Sequence, residues 1–348
     1  VTRKRGDGAL AVVGERLATD LVDVTDDVAA LDGRGFWAVV VPFDGPPVCA
    51  RFATVRPAVP WPGATWRGPH PAAWTSSLDQ AGFEAGVADI RAAIGRGDVY
   101  QVNLTRRLSA PHDPDAGPGH DIAALGAALA AGNPAPYAAV VRVPSAGVAV
   151  ASASPEQFLR RDGRRVRSSP IKGTAATADR LTAKDRAENV MIVDLVRNDL
   201  GRVCEYGSVR VPSLCRVEPH PGLVHLVSSV EGELCPRLGW PDLLAATFPP
   251  GSVIGAPKVA AIEHLRHLEP VPRDVYCGAV GWVDADLGLG ELNVAIRTFW
   301  LEGGRLHFGT GGGITWDSDP RAEWEETELK ARRLLAVASG ELVGGGSR

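Results

Sequence analysis

The sequence predicts an α+β fold with antiparallel sheets. Three observations point there. Short strand-like runs follow one another and are joined by hairpin signals at Asp162-Gly163, at Asp286-Leu287-Gly288 and at Glu302-Gly303-Gly304. Single helices interrupt these runs instead of alternating with them, which argues against a β-α-β winding. No G-x-G-x-x-G lies between a strand and a helix, so a dinucleotide fold is not expected.

In chain order, 35–43 and 47–56 read as strands around Gly45-Pro46-Pro47. Residues 57–74 form a Pro- and Trp-rich connection. A helix is expected over 77–98, with Phe83, Val87, Ile90 and Ile94 near helical spacing and glycines at its end. Alternation over 99–110 suggests a strand, the Ala-rich 120–131 a helix, and 136–154 two strands. The run 181–204 predicts a helix with Val190, Val193, Leu195 and Val196 on its apolar side. Strands are expected over most of 207–234 and again over 275–315. Shorter helices fit 240–249 and 257–269, the second opened by Pro257 in its first turn. A last helix fits 319–342. The expected division is an N-terminal β-rich segment, 1–74, integrated with a catalytic region, 75–340, in one structural unit.

Composition narrows the function classes. The chain has 348 residues, 45% of them hydrophobic, and a formal net charge of −4. That size can bury a large core, and the balance gives no reason to expect nucleic acid. Five scattered cysteines include no C-x-x-C pair, so neither zinc nor a disulfide framework is expected, and a cytoplasmic setting is. The first residues lack the apolar core of a signal peptide, and no apolar run reaches the roughly 18 residues of a membrane span.

The chemistry-bearing residues begin in SPEQFLRRDGRRVRSSPIKGT, 154–174. A hairpin turning at Asp162-Gly163 brings one acid, Glu156, and one base, Lys172, toward the same end. A surface hairpin with a solvated lysine has the same pattern. Asp185 with Glu188, and Glu323 with Glu326, are three apart, so each pair shares a helix face. Such carboxylates suit a hard cation such as Mg²⁺, and equally suit solvated faces paired with Arg186, Lys330 or Arg332. The loop 249–258, with Gly251 and Gly255, runs into a helix and offers N–H groups to an anion. GTGGGIT, 309–315, can form a nest for a carboxylate, and Arg297 can add a bidentate contact. His225 lies in an apolar strand, as a core histidine or a substrate contact.

Taken together the motifs resemble the chorismate-utilising enzymes, the anthranilate, aminodeoxychorismate, isochorismate and salicylate synthases. The matching segments include GDVYQVNLTRR (97–107), SPEQF (154–158), PIKGT (170–174), AENVMIVDLVRNDLGRVC (187–204), FPPGSVIGAPK (248–258), YCGAVG (276–281), AIRT (295–298) and GTGGGITWDSDPRAEWEET (309–327). They run in the family's order over about 75–337. The resemblance implies large antiparallel sheets in a sandwich-like core with helices packed outside. It implies Glu188 and Glu326 as Mg²⁺ ligands, with Asp185 and Glu323 beside them. It implies Tyr276, Arg297 and Gly311, Gly312 and Gly313 as a clamp on the enolpyruvyl carboxylate, with Lys258 and Gly255 near substrate. Glu156 is implied as the general acid, and His225 as part of the pocket. Gln101 stands where water-activating members carry lysine. Lys172 stands where anthranilate synthases carry alanine, and its presence resembles the covalent nucleophile of aminodeoxychorismate synthases. The implied reaction converts chorismate and ammonia to 4-amino-4-deoxychorismate. No G-x-C-x-G motif is present, so ammonia is expected from a separate glutamine amidotransferase subunit. Another chorismate aminase is the alternative, and a non-catalytic chorismate-binding subunit a remote one. Ile254 stands where the family usually has Thr or Ser, which puts a substrate contact at that position in question.

Overall fold

The computed structural model describes residues 8–341 except 59, 176, 221 and 222. Six α-helices are described: α1 (Gln80–Arg96), α2 (Ile122–Gly132), α3 (Ala183–Gly201), α4 (Trp240–Thr247), α5 (Lys258–Leu268) and α6 (Pro320–Ala338). Each corresponds to a helix that the sequence predicts. Their starts follow local chemistry. The Asp79 carboxylate accepts from Gly82 N–H at 2.8 Å, and Asp121 accepts from Ala123 N–H at 2.8 Å. Thr182 and Asp185 form a reciprocal capping box at the head of α3. Gly97 closes α1 in the left-handed region. Pro257 is the N-cap of α5 and lies just outside the helix, where the sequence predicts it inside.

All ladders between the named strands are antiparallel, among the described residues. One hydrogen-bonded run passes from Thr75–Ser76 through Gln101–Pro111, Arg305–Ile314, Thr298–Glu302, Val148–Ser154, Tyr137–Val143 and Leu10–Val13 to Arg16–Thr25. From that strand a second run continues through Val48–Pro57, Phe36–Val41, Ala279–Asp284, Leu289–Val294, Gln157–Asp162, Arg165–Ser169 and Leu223–Glu233 to Arg210–His220. The hairpin Leu10–Val13 to Arg16–Thr25 goes unpredicted from the sequence. Its turn, Gly14-Glu15, puts both residues at positive φ without an Asn-Gly or Asp-Gly pair to announce it. The expected strand run 207–234 divides into two strands, Arg210–His220 and Leu223–Glu233.

Period-two alternation sorts the side chains into separate cores. Ala11, Val13, Ala139 and Val141 face the large core shared by both runs, with Val39, Val280, Leu159 and Val230. Val12 and Val140 face the other way, onto Leu125 of α2 and Leu334 of α6. Helices α3 and α4 add Ile192, Val193, Leu200 and Leu243 to the large core. A third cluster joins α1, α5 and the strands 101–111 and 305–314 through Phe83, Ile90, Leu104, Leu265 and Ile314. The Pro- and Trp-rich connection straps the tail of α6: Trp66 Nε1 donates to Ala338 O at 2.7 Å and Trp74 Nε1 to Ser339 Oγ at 3.1 Å. None of the described helices is long and apolar enough to cross a membrane.

Ile254 belongs to the third cluster and is fully buried. The residue that differs from the expected pattern is therefore packed among apolar side chains in the core. Replacing it by threonine would bury a hydroxyl among apolar neighbours. Ile254→Thr is expected to lower stability by about 1–3 kcal/mol in urea denaturation.

Candidate active site

Glu156 sits between the strands Val148–Ser154 and Gln157–Asp162, and is only 4% exposed. The Asp162-Gly163 turn forms as the sequence predicts, with Gly163 at φ 58°. The second strand of the hairpin continues into Ile171–Ala175, which carries Lys172 back toward Glu156. Ile171 N–H donates to Glu156 Oε1 at 3.4 Å. Burial pushes the Glu156 carboxyl up to about 7, against the opposing pulls of the Ser252 hydroxyl, Lys172, the Ile171 amide and Arg297. Burial lowers the Lys172 ammonium, while Glu188 and Glu156 hold it up and Lys330 adds to the fall. An acid that stays protonated near neutrality thus lies beside an amine that gives up its proton more easily than a free lysine.

Lys172 pairs across the sheet with Leu226, and Thr174 pairs with His225, with the register shifting between them at Gly173. His225 is buried on that strand. Gln101 lies on the other side, only 1% exposed, and its Oε1 has no hydrogen-bond partner among the described residues. Gly313 separates them: a Cβ there would fall 2.1 Å from Gln101 Nε2 and 3.4 Å from Lys172 Nζ. Only bare backbone admits the amide and the amine together.

The expected nest is not one. Gly311, Gly312 and Gly313 lie inside the strand Arg305–Ile314, opposite Thr105, Leu104 and Asn103, in a regular ladder. Extended backbone does not gather consecutive N–H groups on one side, so these glycines form a thin floor instead. The loop 249–258 also differs from the expectation. Gly255 pairs with Val102, at φ 135°, and a Cβ there would strike Gln101 O at 2.2 Å. Gly255 allows the loop to dock on the strand that carries Gln101. The Lys258 ammonium is held by Asp199 and by the carbonyls of Thr247 and Pro249, each at 3.1 Å.

Arg297 has a left-handed backbone, φ 53°, uncommon for a side chain of its size. Its guanidinium has no hydrogen-bond partner among the described residues, and burial lowers its pKa while the nearby Glu156 carboxylate works against that. It is available to an anionic ligand. Tyr276 is buried elsewhere. Its ring covers Gly309, and it lines a second cleft with Arg107, Glu269 and Arg273.

The four helical carboxylates come together in part. Lys184 Nζ stands 3.8 Å from Glu188 Oε1 and 3.9 Å from Glu323 Oε1, so α3 and α6 point carboxylates at one positive charge. Burial raises the pKa of both. Glu326 turns toward Lys330, 2.6 Å away, which is the main reason that its pKa falls. Asp185 Oδ2 accepts from the backbone N–H and the hydroxyl of Thr182, each at 2.7 Å, so that oxygen is committed to the cap. Among the described residues, no three potential ligands are gathered closely enough to hold a metal as they stand. The chemistry of the converging pair nevertheless fits a hard cation, since Mg²⁺ takes one or two carboxylates and completes its shell with water and substrate. Lys184 and Ser252 escape sequence reasoning as site residues. The i,i+4 spacing of Lys184 and Glu188 was the available signal; Ser252 had none beyond its place in a glycine loop.

The profile of the chorismate binding enzymes matches residues 60–336. The chain belongs to that family. Among curated relatives it is 40% identical over 275 residues to aminodeoxychorismate synthase component 1 of Salmonella typhimurium, covering 76% of this chain and 59% of that protein. It is 41% identical over 279 residues to anthranilate synthase component 1 of Streptomyces coelicolor, covering 76% and 52%. The chain thus spans between half and three fifths of these relatives' length. Among solved structures, anthranilate synthase component I from Streptococcus pneumoniae TIGR4 superposes with TM-score 0.78 at 24% identity, covering 96% of this chain and 94% of that one. At that identity the likeness concerns the fold, which is that of the chorismate-utilising enzymes.

The raised Glu156 pKa has a cost in stability with a definite sign. An acid raised in the folded state weakens folding above its unfolded pKa, fully so once pH exceeds the folded value. Glu156→Gln removes that cost. It is expected to stabilise the protein by up to roughly 3 kcal/mol at pH 8 and by little at pH 5, read as the pH dependence of the denaturation midpoint.

Proposed function

We propose that this chorismate binding enzyme aminates chorismate at C4, giving 4-amino-4-deoxychorismate. The observation that carries the reading is the Lys172 amine, with a lowered pKa, set between the Glu156 carboxyl and the Glu188 carboxylate. In the proposed sequence the neutral Lys172 amine forms a bond to C2. The ring double bonds shift and the C4–O bond breaks. The departing hydroxyl takes a proton from Glu156 and leaves as water. Ammonia then adds at C4, the double bonds shift back, and Lys172 leaves C2 as the free amine. Arg297, whose guanidinium makes no hydrogen bond among the described residues, would bind the enolpyruvyl carboxylate. Gln101, next to Lys172, provides an amide where a water-activating base would otherwise stand, which favours an amine product over a hydroxylated one.

Glu188 and Glu323, with Glu326 and Asp185 around them, would hold Mg²⁺, which supplies positive charge for the ring carboxylate of chorismate. The component 1 names of the relatives fit a second subunit. We take this to be a glutamine amidotransferase that delivers ammonia. Sequence identity does not separate the aminodeoxychorismate from the anthranilate branch, since 40% and 41% are equivalent. Lys172 favours the first.

The test is chorismate with Mg²⁺ and ammonium at mildly alkaline pH, with products resolved by mass and chromatography. A product that an added aminodeoxychorismate lyase converts to p-aminobenzoate is expected. Lys172→Ala should slow its formation by at least about 10²-fold, and fluorescent anthranilate from the wild type would overturn the assignment. The alkaline limb of the rate should lie near the Glu156 value of about 7, because the acid form is lost above it.

A further inference from the structure

Three lysines stand near the helical carboxylates, and they are held differently. Lys172 lies inside the site, beside Glu188 and Glu156. Lys330 pairs with Glu326 at 2.6 Å and donates to Gly311 O at 3.0 Å. Lys184 makes no hydrogen bond among the described residues. Its ammonium stands back at 3.8 Å from Glu188 Oε1 and 3.9 Å from Glu323 Oε1, and its side chain is 45% exposed. The carboxylates that it faces are far less open, at 17% and 8%. Of the three ammonium groups, Lys184 is the one that can leave without breaking a bond or repacking the interior.

Helix α3 by itself gives no reason for a lysine at this position. Lys184 is the second residue of the helix, where the positive end of the macrodipole disfavours a cation. Lysine four residues before glutamate is the weaker order of an i,i+4 pair. Asp185, next in sequence, gives its Oδ2 to Thr182 instead. What the position gains is the reach to another helix: Lys184–Glu323 is the one ion pair between α3 and α6 among the described residues. Without it, Glu188 and Glu323 would be two like charges near one another in a largely closed place, with no bonded cation between them.

We propose that Lys184 is a displaceable stand-in for the divalent cation, offsetting Glu188 and Glu323 while no metal is bound and withdrawing to solvent when the metal takes them. The inference rests on the reading of Glu188 and Glu323 as Mg²⁺ carboxylates. The ammonium is close enough to offset both charges and too far to be bonded to either. A dication and an ammonium drawn to the same two carboxylates repel each other at a few ångströms, so the lysine gives way. The exchange has two consequences. The carboxylates of α3 and α6 keep a shared counter-charge in the metal-free protein. The hold on the metal is weakened, because binding displaces a charge that was already satisfied.

The experiment follows the lysines directly. The chain has only five, Lys4, Lys172, Lys184, Lys258 and Lys330, so ¹³C at lysine Cε gives few signals, and that of Lys184 is assigned by its absence in Lys184→Gln. In a MgCl₂ series at constant ionic strength and without substrate, the Lys184 signal is expected to sharpen and move to the position of a free lysine. It should do so in step with metal binding, measured separately as the rise in the denaturation midpoint. Lys184→Gln and Lys184→Met, from which no ammonium has to depart, should each bind Mg²⁺ about fivefold more tightly than the wild type. Lys184→Arg keeps the charge and should bind it no more tightly than the wild type. A Lys184 signal that stays in place while Mg²⁺ binds would overturn the proposal, whether or not Lys330 moves. So would equal affinity in the wild type and both neutral variants, or a Lys184 response that survives in Glu188→Gln/Glu323→Gln. These results would leave the metal reading standing. Absence of Mg²⁺ binding in the wild type and the neutral variants alike would instead remove that reading, and the stand-in with it.

Discussion

Two groups of opposite ionic preference are buried side by side, and the rest of the site follows from that constraint. In water a carboxyl and an ammonium both ionise near neutrality. Here burial raises Glu156 and lowers Lys172, so the site works against both charges at once. In the proposed reaction each uncharged form has a use, one as proton donor and one as nucleophile. Their mutual attraction opposes this, since each favours the ion of the other. Burial must therefore exceed attraction, and that demands a closed, close-packed surround. The antiparallel sheet supplies it. Glu156 lies just before the strand Gln157–Asp162 and Lys172 just after the strand Arg165–Ser169, the two arms of one hairpin, whose Phe158, Leu159 and Val166 are buried in the core.

The glycine strand 309–313 serves the same end from the other side. Its expected role, a nest of N–H groups, needs alternating backbone conformations. The ladder to 101–111 holds it extended instead. Gly313 lets Gln101 and Lys172 approach, and Lys330 donates to Gly311 O while pairing with Glu326. Helix α6, which carries Glu323 and Glu326, is thereby fastened to the glycine strand. A residue cluster that reads as an anion cradle works in the fold as a spacer of minimum thickness.

The helices were legible because local signals mark them: periodic apolar residues within, and Asp79, Asp121 or Thr182 at the start. The hairpin at Asp162-Gly163 was legible for the same reason. The first hairpin was not, since Gly14-Glu15 adopts its turn under the pull of pairing with Tyr137–Val143, some 130 residues away in sequence. Site residues divide along the same line. Glu156, Lys172 and Glu188 could be named from spacing and motif, and in the fold both carboxyl groups act on the Lys172 ammonium. Lys258 was legible as important but not in its role, because only the folded chain shows that Asp199 and two carbonyls use all three of its donors. Ile254 likewise could be named as a departure from the expected motif, but its place in a buried cluster with Val102, Leu104 and Ile314 shows only in the fold.

Helix α3 ties these themes together. Its first turns hold Glu188 toward Glu323 and Lys184, and its last turns hold Asp199 on Lys258. Between them, Ile192, Val193 and Leu200 anchor it in the large core. A rigid rod of 19 residues, near 28 Å at 1.5 Å per residue, thus carries one contact for the cation-facing carboxylates and one for the loop beside the acid. Movement of the rod along its axis would alter both contacts in the same step. The capping box at its head and the ion pair near its foot oppose such movement from opposite ends.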